Sequence, residues 1–183
     1  MTPQEFAAEF ARRTLIDEGE RLKAYPDPLS PRAKTGSGSG DPWTIGIGHT
    51  GPEVHEGLFW TEAQVLAQFQ KDAAKYIDQA RKSLPVGIYD ALAPARQFVV
   101  ASLCFNMGDG SYGWGGFNQT HWLITQAVHA KNPATAHAFY GQAADHLEAS
   151  SWIAQTGNRA RRGIAMMRSS RWCSPTGDGS DVL

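Results

Sequence analysis

Apolar positions recur at helical spacing in several blocks, and the blocks are separated by breaks rich in Pro and Gly. The first block opens at Thr2-Pro3-Gln4-Glu5. A Thr able to cap, a Pro at the first helical position and a Glu closing the capping box signal a helix start. Phe6, Ala7 and Phe10 then supply an apolar stripe, which predicts a helix ending near Gly19. From Tyr25 to Gly57 helical periodicity vanishes, and Trp43-Thr44-Ile45-Gly46-Ile47-Gly48 alternates as a short strand would. Thr61 and Gln64 open a second capping box ahead of Val65, Leu66, Phe69, Ala73, Tyr76, Ile77 and Ala80, a long helix that Pro85 stops. Further helices are predicted from Ala91 to Phe105, from Thr120 to Ala130, from Pro133 to about Leu147 and from Asn158 to about Ser169. The run from Gly108 to Gly116 reads as a loop, and the polar stretch from Ser174 to Leu183 as a frayed end.

This layout predicts an α+β, mostly α, architecture: a small β-containing N-terminal lobe, a long connecting helix and a helical C-terminal lobe. We expect a single domain over 1–173, with lobes at about 15–60 and 85–173 plus the N-terminal helix, linked by helix 61–83, and a flexible tail at 174–183. A chain of 183 residues, 42% hydrophobic and 19% charged, can bury a core without disulfides or metal. Cys104 lies in an apolar run and reads as a small buried hydrophobe, so no structural disulfide with Cys173 is expected. No CxxC or paired-His spacing suggests a metal, and no cofactor is implied. A formal charge of −1 lacks the basic footprint of a nucleic-acid partner. Met1 to Glu20 has acids and arginines throughout and no apolar signal region, and no stretch approaches membrane-spanning length. The expectation is a protein made in the cytoplasm without stable membrane association.

Three features could carry chemistry. The acids Asp17, Glu18 and Glu20 gather at the end of the first predicted helix, and Asp27 follows nine residues after Glu18 on an irregular segment. Glycosidic cleavage needs one protonated carboxyl for the leaving oxygen and one ionised group to activate water. A carboxyl at a helix end and another on a following strand or loop could flank a cleft in that way, although spacing alone favours solvated surface carboxylates, since two acids nine residues apart occur by chance in most proteins. The second feature is Thr44 to His49, where glycines at 46 and 48 allow close backbone approach or tight bending and Thr44 could hold a water. A plain Gly-rich hairpin and a packed histidine fit the same residues. The third is Asn158-Arg159-Ala160-Arg161-Arg162 with Arg168 and Arg171, five arginines in fourteen residues. They suit attraction to the peptide carboxylates of a bacterial wall, or a solvated helix face.

Taken together, Leu15-Ile16-Asp17-Glu18-Gly19, Arg21 to Asp27 and Trp43 to His49 resemble the active-site stretch of the phage-type lysozymes, glycoside hydrolase family 24. Thr61-Glu62-Ala63 and Phe69-Gln70-Lys71-Asp72 resemble that family's interlobe helix. Phe105-Asn106-Met107-Gly108, Gly116-Phe117 and Trp152 through Arg162 to Trp172 resemble its C-terminal lobe. Motifs in this order span nearly the whole chain, roughly Glu5 to Trp172. The resemblance implies a lysozyme-like fold and an endolysin acting on peptidoglycan glycan strands. It also implies a general acid at Glu18, a second carboxylate at Asp27 and a water-placing Thr44. Thr50, Phe105, Asn106, Thr120 and His146 match positions lining the sugar cleft, and His49 with Asp72 matches a structural ion pair.

One departure stands out. Sixteen residues, Pro28 to Trp43, separate Asp27 from Thr44, where the family has a much shorter connection. The inserted Ser30 to Gly40 is rich in Gly and Ser, reads as a longer hairpin or a flap, and has Arg32, Lys34 and Asp41 as candidate contacts. The implied protein is a monomeric muramidase, probed against two alternatives that share its sequence features: a lytic transglycosylase and a non-catalytic wall-binding module. Asp27 and Thr44 argue against the transglycosylase, which has no use for a water-positioning pair. Release to the wall would need a holin or a dedicated secretion machine.

Overall fold

The computed structural model describes residues 1–19, 21–26, 42–111 and 117–182, with Glu18 and 108–111 described by their backbone alone. Asp27, the stretch from Pro28 through Asp41 that was expected to be an insertion (Arg32 and Lys34 among them) and the 112–116 part of the Gly-rich run lie outside the described residues. Those described form eight helices and one three-stranded antiparallel sheet, the mostly helical α+β class that the sequence predicts. They divide into two compact units, 2–74 and 75–183, the second including Met1.

In the first unit, α1 (Pro3–Glu18) begins with the expected capping box. The Glu5 N–H donates to Thr2 Oγ1 at 3.2 Å, while Thr2 N–H donates to Glu5 Oε2 at 2.7 Å. Two donors left over by helix geometry are thereby satisfied. Strands β1 (Arg21–Pro26), β2 (Trp43–Gly46) and β3 (His49–Thr50) follow. Periodicity did not point to β1, because only Ala24 in it is buried. The outer edge of β1 is covered by 58–60: Ala24 N–H donates to the Leu58 carbonyl and Trp60 N–H to that of Leu22. Beneath the sheet Ala24, Ile45 and Val54 form a small core flanked by Trp43, Leu58 and Trp60. The bend between β2 and β3 uses Gly46 and Gly48 at φ 65° and 71°, a left-handed region that favours glycine. A Cβ on Gly46 would also crowd Val65, so both roles expected of these glycines are observed.

Helix α2 (Glu62–Ser83) starts with its capping box, Gln64 N–H donating to Thr61 Oγ1 at 3.3 Å and Thr61 N–H to Gln64 Oε1 at 2.9 Å. Val65, Phe69, Ala73 and Ala80 are buried as the periodicity predicts, whereas Leu66 is exposed. The Phe69 ring stacks on Phe10 at 6.2 Å, joining α1 to α2. Full burial of side chains of this size is worth about 1.5–3 kcal/mol each.

The second unit contains α3 (Ile88–Ala91), α4 (Pro94–Ser111), α5 (Asn118–Val128), α6 (Pro133–Glu148), α7 (Trp152–Thr156) and α8 (Asn158–Ser169). Two boundaries differ from expectation. The helix predicted from Ala91 is broken at Leu92 and restarts at Pro94, the residue suited to a first helical turn. It then runs on through 108–111, so this part of the predicted loop is helical despite its glycines. Cys104 and Cys173 are both buried and not disulfide-bonded. Trp152 packs against Gly163, where a Cβ would collide with the indole.

The stretch after α8, read from its composition as a frayed tail, is tied down. Cys173 and Val182 form a bridge, and the buried Arg162 donates through Nη1 to the Gly177 carbonyl at 2.6 Å. A Cβ on Gly179 would lie 2.8 Å from the Arg161 carbonyl. Polar composition concealed this, because the donor anchoring the segment comes from the preceding helix.

Candidate functional site

Glu18 is the last residue of α1. Gly19 follows at φ 67°, and its N–H donates to the Leu15 carbonyl at 2.8 Å, closing the helix with a conformation that favours glycine. The chain thus leaves the helix directly after Glu18 and enters β1 at Arg21. There the Arg21 guanidinium lies over the Tyr25 ring at 4.3 Å. Across the sheet Tyr25 faces Thr44 and Pro26 faces Trp43. Asp27 follows Pro26 in the chain and, like the Glu18 side chain, lies outside the described residues. Thr44 is buried in the middle strand, and its partner on the other side is the exposed Thr50. The sheet therefore brings Thr44 and Thr50 together.

Beside them, His49 connects the sheet to α2. Its Nδ1 lies 2.8 Å from Asp72 Oδ2, the pairing anticipated from the sequence. Its Nε2 lies 2.7 Å from Glu53 Oε1, a partner that sequence comparison had not indicated. The hydrogen bond from His49 holds the Glu53 carboxyl below its ordinary pKa. Gln68, one turn before Asp72 on α2, donates to Asp72 Oδ1 at 3.1 Å, and the Trp60 ring lies 5.5 Å from the imidazole. Both ring nitrogens of His49 are thus engaged, which suits a structural role.

Within the second unit, Phe105 and Asn106 are half-buried on α4. The edge of the Tyr76–Phe105 pair closes at 5.0 Å, and the Arg159 guanidinium sits 5.0 Å from the Phe105 ring centre. Asn106 Nδ2 is buried without a hydrogen-bond partner among the described residues. Such a donor is costly to bury unless something accepts from it. Thr120, fully buried on α5, places Oγ1 2.8 Å from Nδ1 of His146 on α6, so these two predicted residues are also brought together.

The arginine-rich segment separates into two sets. Arg159 and Arg162 are buried structural groups, while Arg161 and Arg168 lie outside. Neither a uniform basic patch nor a wholly solvated face describes this helix.

The family model for phage lysozyme matches residues 16–169, well over half of the chain. The chain belongs to the phage lysozyme family. As a phage lysozyme it is a lysozyme-type glycosidase acting on peptidoglycan, the coarse activity of an endolysin. No curated protein sequence matches it. Among the described residues of this phage lysozyme, no helix is long and apolar enough to cross a membrane.

Proposed function

We propose that this phage lysozyme is a muramidase that hydrolyses the β-1,4 bond between N-acetylmuramic acid and N-acetylglucosamine with inversion. In this reading Glu18 is the general acid that protonates the leaving glycosidic oxygen. Asp27 is the base that activates water on the opposite sugar face, and the Thr44 hydroxyl helps to place that water. An inverting pair stands roughly 6.5–9.5 Å apart to leave room for the water, against about 5–5.5 Å in a retaining enzyme. Glu18 must hold its proton near neutral pH, which calls for partial desolvation or a neighbouring negative charge. Thr50, Phe105, Asn106, Thr120 and His146 are proposed to contact the glycan, and His49 with Asp72 to stabilise the fold.

The observation that carries this reading is the family match over 16–169, which includes Glu18, Asp27 and Thr44. The setting of Glu18 at a helix end and of Thr44 in the adjoining sheet supports it. We place the active chain in one lysozyme-like domain over 1–173, monomeric, made in the cytoplasm and released to the wall by a holin or a secretion machine.

Product analysis tests the reaction. Sugar NMR during digestion of purified wall should show the α-anomer first. Early β-anomer would replace inversion by retention. Anhydro ends in the mass spectrum would replace hydrolysis by transglycosylation, and binding without any cleavage would reduce the chain to a wall-binding module.

A further inference from the structure

Tryptophan is mostly buried in folded proteins, because its large ring gains much from leaving water. Trp122 on α5 is nevertheless 51% exposed. Its ring meets that of the half-buried Phe139 on α6, with centres 6.1 Å apart and planes at 89°. Perpendicular contact is a favoured geometry for aromatic pairs. It fixes how the indole is presented while leaving half of Trp122 to solvent.

Residues one helical turn away lie beside each ring on the helix surface. Around Trp122 these are Asn118, Gln119, Thr125 and Gln126, and around Phe139 they are Thr135, Gln142 and two alanines. None of them is charged. Helix α5 has no Lys, Arg, Asp or Glu along its length, and α6 has acids only at Asp145 and Glu148, in its last turn. An amide side chain offers both donors and an acceptor. The aromatic pair is therefore rimmed by neutral hydrogen-bonding groups. A charged partner would find no opposite charge among these residues. A purely apolar one would strip water from the amides without replacing its hydrogen bonds. A pyranose ring suits both parts. Its C–H face fits the negative face of an indole, and its hydroxyl and acetamido groups fit the amides.

We propose that Trp122 and Phe139 form an accessory binding surface for uncharged N-acetylated sugar rings, separate from the residues that cut the chain. Its occupant is the glycan strand of the wall beyond the cleaved bond, so the inference rests on glycan being what the enzyme attacks. His146, already proposed to contact the glycan, lies seven residues beyond Phe139 on the same face of α6, about 10 Å along its axis. A strand at His146 can therefore continue onto the ring pair. Such a surface sets how tightly the wall is held and leaves the rate of the chemical step unchanged, because it binds substrate and transition state alike.

The test titrates the full chain with tri-N-acetylchitotriose and follows the assigned indole N–H signals by NMR. A saturable shift is expected at Trp122. In wall-lysis assays Trp122→Ala should raise the wall concentration for half-maximal rate by about tenfold, with the maximal rate unchanged. Trp122→Phe, which keeps an aromatic face, should recover most of the loss. The wild-type titration serves by itself if a variant does not fold. An unmoved Trp122 signal, or an equal shift with neutral phospholipid vesicles, would overturn the inference. So would a Trp122→Ala variant with an unchanged half-maximal concentration. Wall cleavage by a wild-type protein whose Trp122 ignores the sugar would remove this surface and leave the muramidase reading standing. A saturable Trp122 shift in a protein that cleaves no glycan would do the reverse.

Discussion

Asp72 accepts His49 Nδ1 at 2.8 Å from the middle of α2, so the sheet and the helix are joined through one imidazole. Glu53 takes the other ring nitrogen at 2.7 Å. The two carboxylates differ in setting, because the Asp72 side chain is 20% exposed and that of Glu53 is 55% exposed. The better-shielded bond is the one expected to matter for stability.

Asp72→Asn should lower unfolding free energy by about 1–3 kcal/mol, because it removes a charge-assisted bond from a partly buried site. Urea denaturation of both proteins measures this. A loss below the error of the midpoint would reduce the pair to a crossing point without energetic weight.

Glu53 gives a pH signature of its own. Its carboxyl is held below 4.5 in the folded protein, with the His49 hydrogen bond as the main cause. Its contribution is therefore present above the unfolded value of 4.5 and is lost as pH falls through the lower folded value. The stability gap between the wild type and Glu53→Gln should be widest above that value and close in acid. A gap that stays constant with pH would exclude the linkage.

Burial governs the titration of His121 on α5. Burial pushes its pKa from 6.5 down to about 4, so the folded protein holds it neutral. Its full contribution is present above 6.5, and stability declines as pH falls towards about 4, because the unfolded chain takes up the proton first. The whole displacement corresponds to at most about 3 kcal/mol. His121→Leu should flatten this limb of the pH–stability curve. Histidine NMR titration locates the group directly, and a midpoint near 6.5 would contradict it.

Gly163→Ala tests packing against propensity. In an exposed helix interior this exchange stabilises by about 1 kcal/mol. Here the added methyl would meet the fully buried Trp152 ring, and overpacking typically costs about 1–3 kcal/mol. A lower melting temperature is expected, and an increase would show that the indole can move aside.

For the proposed acid, Glu18→Gln should reduce wall lysis by about two to four orders of magnitude while leaving circular dichroism unchanged, since an amide cannot donate the proton. Turbidity assays on bacterial walls read the loss. Near wild-type lysis would remove Glu18 from the role.

Much of the fold was legible because local signals agreed with tertiary packing. Both capping boxes, the Pro133 start and the Phe69–Ala73–Ala80 stripe each combine a local preference with a buried face. Strand β1 was not legible, since its ladder is completed by 58–60, far along the chain, and its own residues scarcely alternate. The His49–Asp72 and Thr120–His146 contacts followed positions indicated by family resemblance. Glu53 did not, because an exposed acid one helical turn from a histidine in sequence is commonplace in a loop. The division of the arginines into buried Arg159 and Arg162 and outward Arg161 and Arg168 depended on which neighbours surround α8, which sequence spacing does not encode.

The register that sets Pro26 opposite Trp43 has a corollary for the length of the connection between them. Pairing fixes both attachment points of the intervening chain, so lengthening it alters neither the sheet nor the connection of α1 to β1. By polymer statistics each doubling of such a connection costs only about 0.6 kcal/mol of closure entropy. A longer connection between these two points therefore carries little thermodynamic penalty. The same attachment points offer an insertion site where foreign sequence can be accommodated without redesigning the rest of the sheet.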